Sequence, residues 1–164
     1  MSAKIKRILI VIPEKMIEQE LPWFHENMGE YAVRTYISRN PEIIAKNIEL
    51  LGINAWFYKY KNENREYVEE SGEADLVFRS DKTYYLVETK RPWQFKSGWE
   101  QVLRASECFI NETKARGIEC DDVIVVLVTT DPSMETFKKK GPFILEEMDK
   151  GELSLAEATE LGIE

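Results

Sequence analysis

Ala74-Asp75-Leu76-Val77-Phe78, followed by Arg79-Ser80-Asp81-Lys82 and then Tyr84-Tyr85-Leu86-Val87-Glu88-Thr89-Lys90, is the stretch on which the fold turns. Two apolar runs joined by a short polar segment containing Ser80 and Asp81 predict a hairpin of two strands, with the turn at 79–82. Alternation along the second strand puts Glu88 and Lys90 on one face and Thr89 on the other. Leu86 and Val87 imply that this strand lies well inside the fold. A buried sheet face tolerates a carboxylate and an ammonium together only when they are paired or hold a ligand. The hairpin also carries Asp75, at the mouth of the first strand, to the side of Glu88.

Moving outward, Val123-Ile124-Val125-Val126-Leu127-Val128 is apolar on both faces and predicts a fully buried strand. Between it and the hairpin, Pro92 and Gly98 punctuate the chain before a helix over 99–114. Val102, Leu103, Cys108 and Phe109 form its apolar stripe, and Gly117 stands near its end. Upstream, Ala55-Trp56-Phe57-Tyr58-Lys59-Tyr60 reads as an aromatic strand and the charged 61–71 as a loop or hairpin. Asn40 and Pro41 supply an N-cap and a first-turn proline for a helix in which Ile43, Ile44, Ile48 and Leu51 recur until Gly52. Residues 14–38 show helical recurrence of apolar side chains, and 4–12 reads as a strand cut short by Pro13. The order β, α, α, β, β, β, α, β predicts an α/β fold with a central mixed sheet flanked by helices.

Length and composition predict a single domain over 1–164. Cys108 and Cys120 provide neither a disulfide framework nor a four-thiolate metal site, and they point to a reducing compartment, the cytoplasm. The apolar run Ile8–Ile12 ends too early for a signal peptide, and no stretch approaches the roughly 20 apolar residues of a spanning helix, so no membrane association is expected. His25 is the only histidine, which removes the parts for histidine-based metal or triad chemistry. There is no Gly-rich phosphate loop, nucleophile elbow or Cys-x-x-Cys pair. The net charge of −8 is the wrong sign for binding nucleic acid by bulk electrostatics. However, residues 142–164 hold one lysine against seven acids, −6 of the total. The rest is near neutral, and carboxylates gathered for a cation add to an acidic total.

Two carboxylates converging beside a lysine suit phosphodiester hydrolysis. Asp75 and Glu88 are hard oxygen ligands for Mg²⁺, with Mn²⁺ as a substitute, and should lie within about 6 Å of each other to share one cation. Lys90 can orient the attacking water or neutralise developing charge. Ala74-Asp75 with Glu88-Thr89-Lys90 thirteen positions after the aspartate, framed by Leu76-Val77-Phe78 and Tyr85-Leu86-Val87, resembles the PD-(D/E)XK nuclease superfamily. The resemblance runs over about 40–129 and implies a restriction-endonuclease-like core and a Mg²⁺-dependent deoxyribonuclease. It implies further that Glu42, placed as in archaeal Holliday-junction resolvases, assists the site, that Gln101 matches the glutamine of exonuclease and restriction-subunit branches, and that the Thr89 carbonyl adds a metal ligand. Two positions depart from the pattern: Ala74 replaces the usual proline, and Ala105 stands where a tyrosine often follows the glutamine.

Each of these residues also has a plainer reading. Asp75, Glu88 and Lys90 would also suit a surface hairpin with an ion pair, and Glu42 would be favoured in a helix first turn by the dipole alone. Gln101 would also suit a solvated helix face. Arg91, Trp93 and Lys96 follow the strand and are candidates for gripping phosphate or stacking on a base, as is the basic run Lys138-Lys139-Lys140. The rival function is a non-catalytic nucleic-acid-binding or assembly module. Ile5–Ile12 as an exposed edge strand would invite a second chain, so a homodimer on DNA is the expected assembly. The acidic tail 142–164, with interleaved leucines, is expected to be an amphipathic helix.

Overall fold

The computed structural model describes residues 4–25, 29–61, 67–91, 94–131 and 143–144. Five long strands form a mixed sheet: β1 (Lys4–Pro13), β2 (Glu49–Tyr60), β3 (Val68–Ser80), β4 (Thr83–Thr89) and β5 (Asp122–Asp131), in the order β2-β3-β4-β5-β1. A two-residue β6 (Phe143–Ile144) continues it beyond β1. The β2/β3 and β3/β4 pairs are antiparallel, whereas β5 runs parallel to both β4 and β1. The parallel centre needs crossovers, and these put helices on both faces. Helix α3 (Phe95–Arg116) links β4 to β5, while α1 (Glu14–Glu20) and α2 (Gly29–Arg39) precede β2.

Both faces of the central strands are therefore dry. On the α3 face, Leu86, Val125 and Leu127 pack with Trp99, Val102 and Ala105. On the other, Val87, Val126 and Val128 pack with Phe24, Val33 and Ile37. This double burial explains the uninterrupted apolar run of β5.

The expected hairpin is present with a tighter turn. Asp81 adopts φ 54°, a left-handed conformation that an aspartate tolerates, so Ser80 and Thr83 pair directly across the two residues Asp81 and Lys82. Helix α3 starts before the predicted residue 99, taking Gly98 into its first turn, and ends at Gly117 in the left-handed C-terminal cap.

The helix predicted over 41–51 is not there. Asn40 closes α2 instead of opening a new helix, with its backbone and side-chain nitrogens both donating to the Tyr36 carbonyl. Pro41–Ile43 makes one 3-10 turn, Asn47 turns the chain at φ 58°, and Glu49 already belongs to β2. Ile43, Ile44 and Ile48 do pack on the core, so the apolar spacing was real but served a turn. The charged 61–71, read as a loop or hairpin, belongs to a hairpin: β2 ends at Tyr60, β3 begins at Val68, and the two pair antiparallel. Its polar residues sit on an arm of the hairpin covered by α3 on one side only.

β1 is also not an exposed edge. It pairs with β5 from Lys4 to Pro13 and with β6 at Ile8 and Leu9, and Ile8–Ile12 are buried. At the opposite end of the sheet the edge is β2, where two amides are occupied: Tyr58 N–H donates to Glu112 and Tyr60 N–H to Asn111 of α3. Among the described residues, no helix is long and apolar enough to cross a membrane. The tail expected to be helical over 142–164 instead has a strand at Phe143–Ile144, because these two residues pair with β1; residues 145–164, Lys138-Lys139-Lys140 and Trp93 lie outside the described residues, as do the side chains of His25 and Lys96.

Candidate functional site

The β3/β4 ladder ends at the Leu76–Val87 pair, and the two strands part there. Beyond that point the Thr89 N–H, which a continued ladder would have given to β3 backbone, donates instead to the Asp75 carboxylate at 2.8 Å. The Thr89 hydroxyl donates to the same oxygen at 2.9 Å. Lys90 N–H turns the other way, to the Val128 carbonyl of β5, so the end of β4 stays tied to the sheet. Parting strands leave a notch, and an aspartate whose side chain replaces a backbone pairing is held rigidly at its edge.

The notch is a cleft of about 330 Å³ lined by Asp75, Glu88, Lys90, Trp56, Ser71, Gly72, Glu73, Gln101 and Arg104. Asp75 and Glu88 are 6 % and 5 % exposed, respectively, and both line this cleft. Glu88 has its pKa pushed up from 4.5 to about 9, first by burial, then by the hydrogen bond to Asp75 and by the negative charge of Asp75. Lys90 opposes the rise and Glu30 adds to it. Burial and the neighbouring Asp75 carboxylate therefore favour the protonated form of Glu88, because two buried carboxylates side by side repel each other when both are charged.

Asp75 has a cationic partner of its own. Arg34 of α2 reaches it at 2.8 Å through Nη2 and donates through Nη1 to Asn54 Oδ1, also at 2.8 Å. Asn54 adopts φ 51° within β2, a kink that helps present its side chain to Arg34. Lys90 is mostly buried, with Nζ 3.5 Å from Glu30 of α2. Its stem runs over Gly98, where a Cβ would stand 2.7 Å from Lys90 Cγ, so only glycine leaves the lysine its path. Arg91 turns away from the cleft. It bonds buried Glu14 at 2.7 Å and lies over the Phe24 ring, and Thr130 donates to the same Glu14 oxygen, so the arginine staples the end of β4 to the start of α1.

The structure thus brings together Asp75, Glu88, Lys90 and Gln101, the last exposed on the rim. Thr89 does not line the cleft; its amide and hydroxyl hold Asp75. Glu42 stands elsewhere, exposed on the 3-10 turn and outside the residues that line the cleft. The acid from an upstream helix that does reach the site is Glu30, which sequence reasoning missed. Its only signal was its place in the first turn of a helix, shared by many surface glutamates. Arg34 was missed as well, because nothing local marks an arginine that will meet an aspartate 41 residues away. Ala105 is accounted for by packing: it is fully buried against β3, and a Cβ on Gly72 would stand 2.7 Å from its Cα. A tyrosine at 105 would have no room.

Asp75 and Glu88 offer hard oxygen donors in one cleft. Among the described residues no group of three or more His, Cys, Asp and Glu gathers around one point. Two carboxylates with water and substrate oxygens filling the remaining positions is a donor set that suits Mg²⁺. No family model, curated protein or solved structure matches the chain.

Proposed function

We propose that the chain is a Mg²⁺-dependent deoxyribonuclease of the PD-(D/E)XK type on a restriction-endonuclease-like core, hydrolysing the phosphodiester backbone of DNA. The observation that carries the reading is the convergence of Asp75, Glu88 and Lys90 in one cleft where β3 and β4 part. A surface hairpin with an ordinary ion pair would leave these side chains in water, and here both carboxyls are buried.

In this reading Asp75 and Glu88 hold the cation, with Mn²⁺ as a substitute, and Glu88 gives up its proton on binding it. A bound cation would polarise the phosphoryl oxygen and acidify a water. Arg34 and Thr89 fix the orientation of Asp75. Lys90 neutralises charge that develops on the phosphoryl group and orients the water, with Glu30 setting the position of its ammonium. Gln101, on the rim, is placed to touch the substrate. The reducing cytoplasm, suggested by the free thiols of Cys108 and Cys120, belongs to the same proposal. A homodimer now rests on β2, whose Leu50, Leu51 and Ile53 are exposed, and no longer on β1.

Cleavage of linear, circular, flapped and four-way DNA with Mg²⁺ or Mn²⁺ tests the reading, with Glu88→Gln as the control. Metal-dependent cleavage abolished by Glu88→Gln is the expected result. Equal activity in variant and parent would place the chemistry in another protein or another site.

A further inference from the structure

Trp56 stands in the same cleft as the carboxylates and is 53 % exposed, an unusual position for the largest apolar side chain. It lies on β2 opposite Glu73 in the register, two residues along β3 from Asp75. Its exposure is not forced by composition, since Trp99 is fully buried in the adjoining core. The cations of the cleft point to the same kind of ligand. Lys90 faces Glu30 at 3.5 Å and Arg104 faces Glu70 at 3.4 Å, so each lining cation already has a carboxylate. Binding a duplex draws on many phosphate contacts from cations, and a cleft whose two lining cations are both paired is poorly equipped for it. Stacking an unpaired base on an indole needs no net charge and contributes about 1–3 kcal/mol per base.

We infer that the cleft takes an unpaired nucleotide, its base stacked on Trp56 and its phosphodiester over Asp75, Glu88 and Lys90, which makes single-stranded DNA, or the single-stranded part of a branched DNA, the substrate class. The phosphodiester half rests on the function proposed above; the stacking half is measured by binding alone. The cleft of about 330 Å³ sits at the low end of the range for small-ligand pockets. A paired base inside a helix cannot present its face to a side chain, so the indole selects against duplex.

The test is fluorescence anisotropy of a labelled oligodeoxythymidine and of a hairpin duplex, with Ca²⁺ in place of Mg²⁺, on parent protein, Trp56→Ala, Trp56→Leu and Trp56→Phe. The expected result is single-strand binding at least tenfold tighter than duplex, weakened about tenfold by Trp56→Ala and Trp56→Leu and largely restored by Trp56→Phe. With two cations at most to engage phosphates, the slope of log affinity against log salt should be about −1.4. Equal affinity for duplex, unchanged binding in Trp56→Ala and Trp56→Leu, or a slope steeper than about −3 overturns the inference. The leucine variant keeps apolar bulk on β2, so a loss caused by unfolding in Trp56→Ala is told apart from loss of the ring. Cleavage of the same oligonucleotide in Mg²⁺ is scored separately. Binding that depends on Trp56 without cleavage in any metal keeps the stacking site and removes the nuclease. Cleavage with binding indifferent to Trp56 keeps the nuclease and removes the stacking site.

Discussion

Glu88→Gln should make the metal-free protein more stable, and the gain should grow with pH. The native state keeps a proton on Glu88 up to about pH 9, whereas the unfolded chain releases it at the ordinary 4.5. Between those values the native state binds more protons, so stability falls as pH rises. Each pH unit of that window costs about 1.4 kcal/mol, which gives about 3 kcal/mol at pH 7 and about twice that at pH 9. The residue is 5 % exposed, so solvent screening reduces the figure little. A glutamine carries no charge in either state and its carboxamide donates to Asp75 as the protonated acid does. The variant should therefore escape the penalty. For a chain of this length the gain at pH 7 corresponds to a melting temperature about 6–12 °C higher. The assay is denaturant and thermal unfolding of both proteins in chelator at pH 5, 7 and 9. Mg²⁺ should then stabilise the parent and not the variant, with a proton released on binding. A difference that stays flat from pH 5 to 9, or a parent more stable than Glu88→Gln at pH 7, would refute the account of two carboxyls sharing one buried proton.

Glu30→Gln should lower cleavage at least tenfold by releasing the Lys90 ammonium, while Glu42→Gln leaves kcat/KM unchanged; the opposite ranking would restore the acid favoured by sequence. Gly72→Ala should destabilise by about 1–3 kcal/mol, read by urea unfolding, because its Cβ meets the Ala105 backbone, which cannot swing aside as a flexible side chain can. Arg34→Met should leave the Asp75 carboxylate unpaired at 8 % side-chain exposure and cost about 2–4 kcal/mol in unfolding experiments without metal, with part of the loss recovered in Mg²⁺.

What could be read from the sequence alone was whatever depends on contacts between chain neighbours or on strict periodicity. The double-sided apolar run of β5, the hairpin around Asp81, the glycine cap at 117 and the shared face of Glu88 and Lys90 all follow from local rules. So does the side-by-side placement of Asp75 and Glu88, since a tight turn leaves the two strands one register. The segment 40–51 shows where local rules stop. Asn40-Pro41 and the following isoleucines satisfy a helix start, yet the chain gains more by pairing 49–60 with β3, an interaction that no window of sequence contains. The same limit hid Glu30 and Arg34. Their roles depend on α2 being laid across the ends of β3 and β4, with Arg34 and Asp75 separated by 41 positions. Whether a carboxyl is charged was equally out of reach, because the proton on Glu88 depends on burial and on the nearby charge of Asp75, quantities that exist only once the strands have parted and the helices have closed over them.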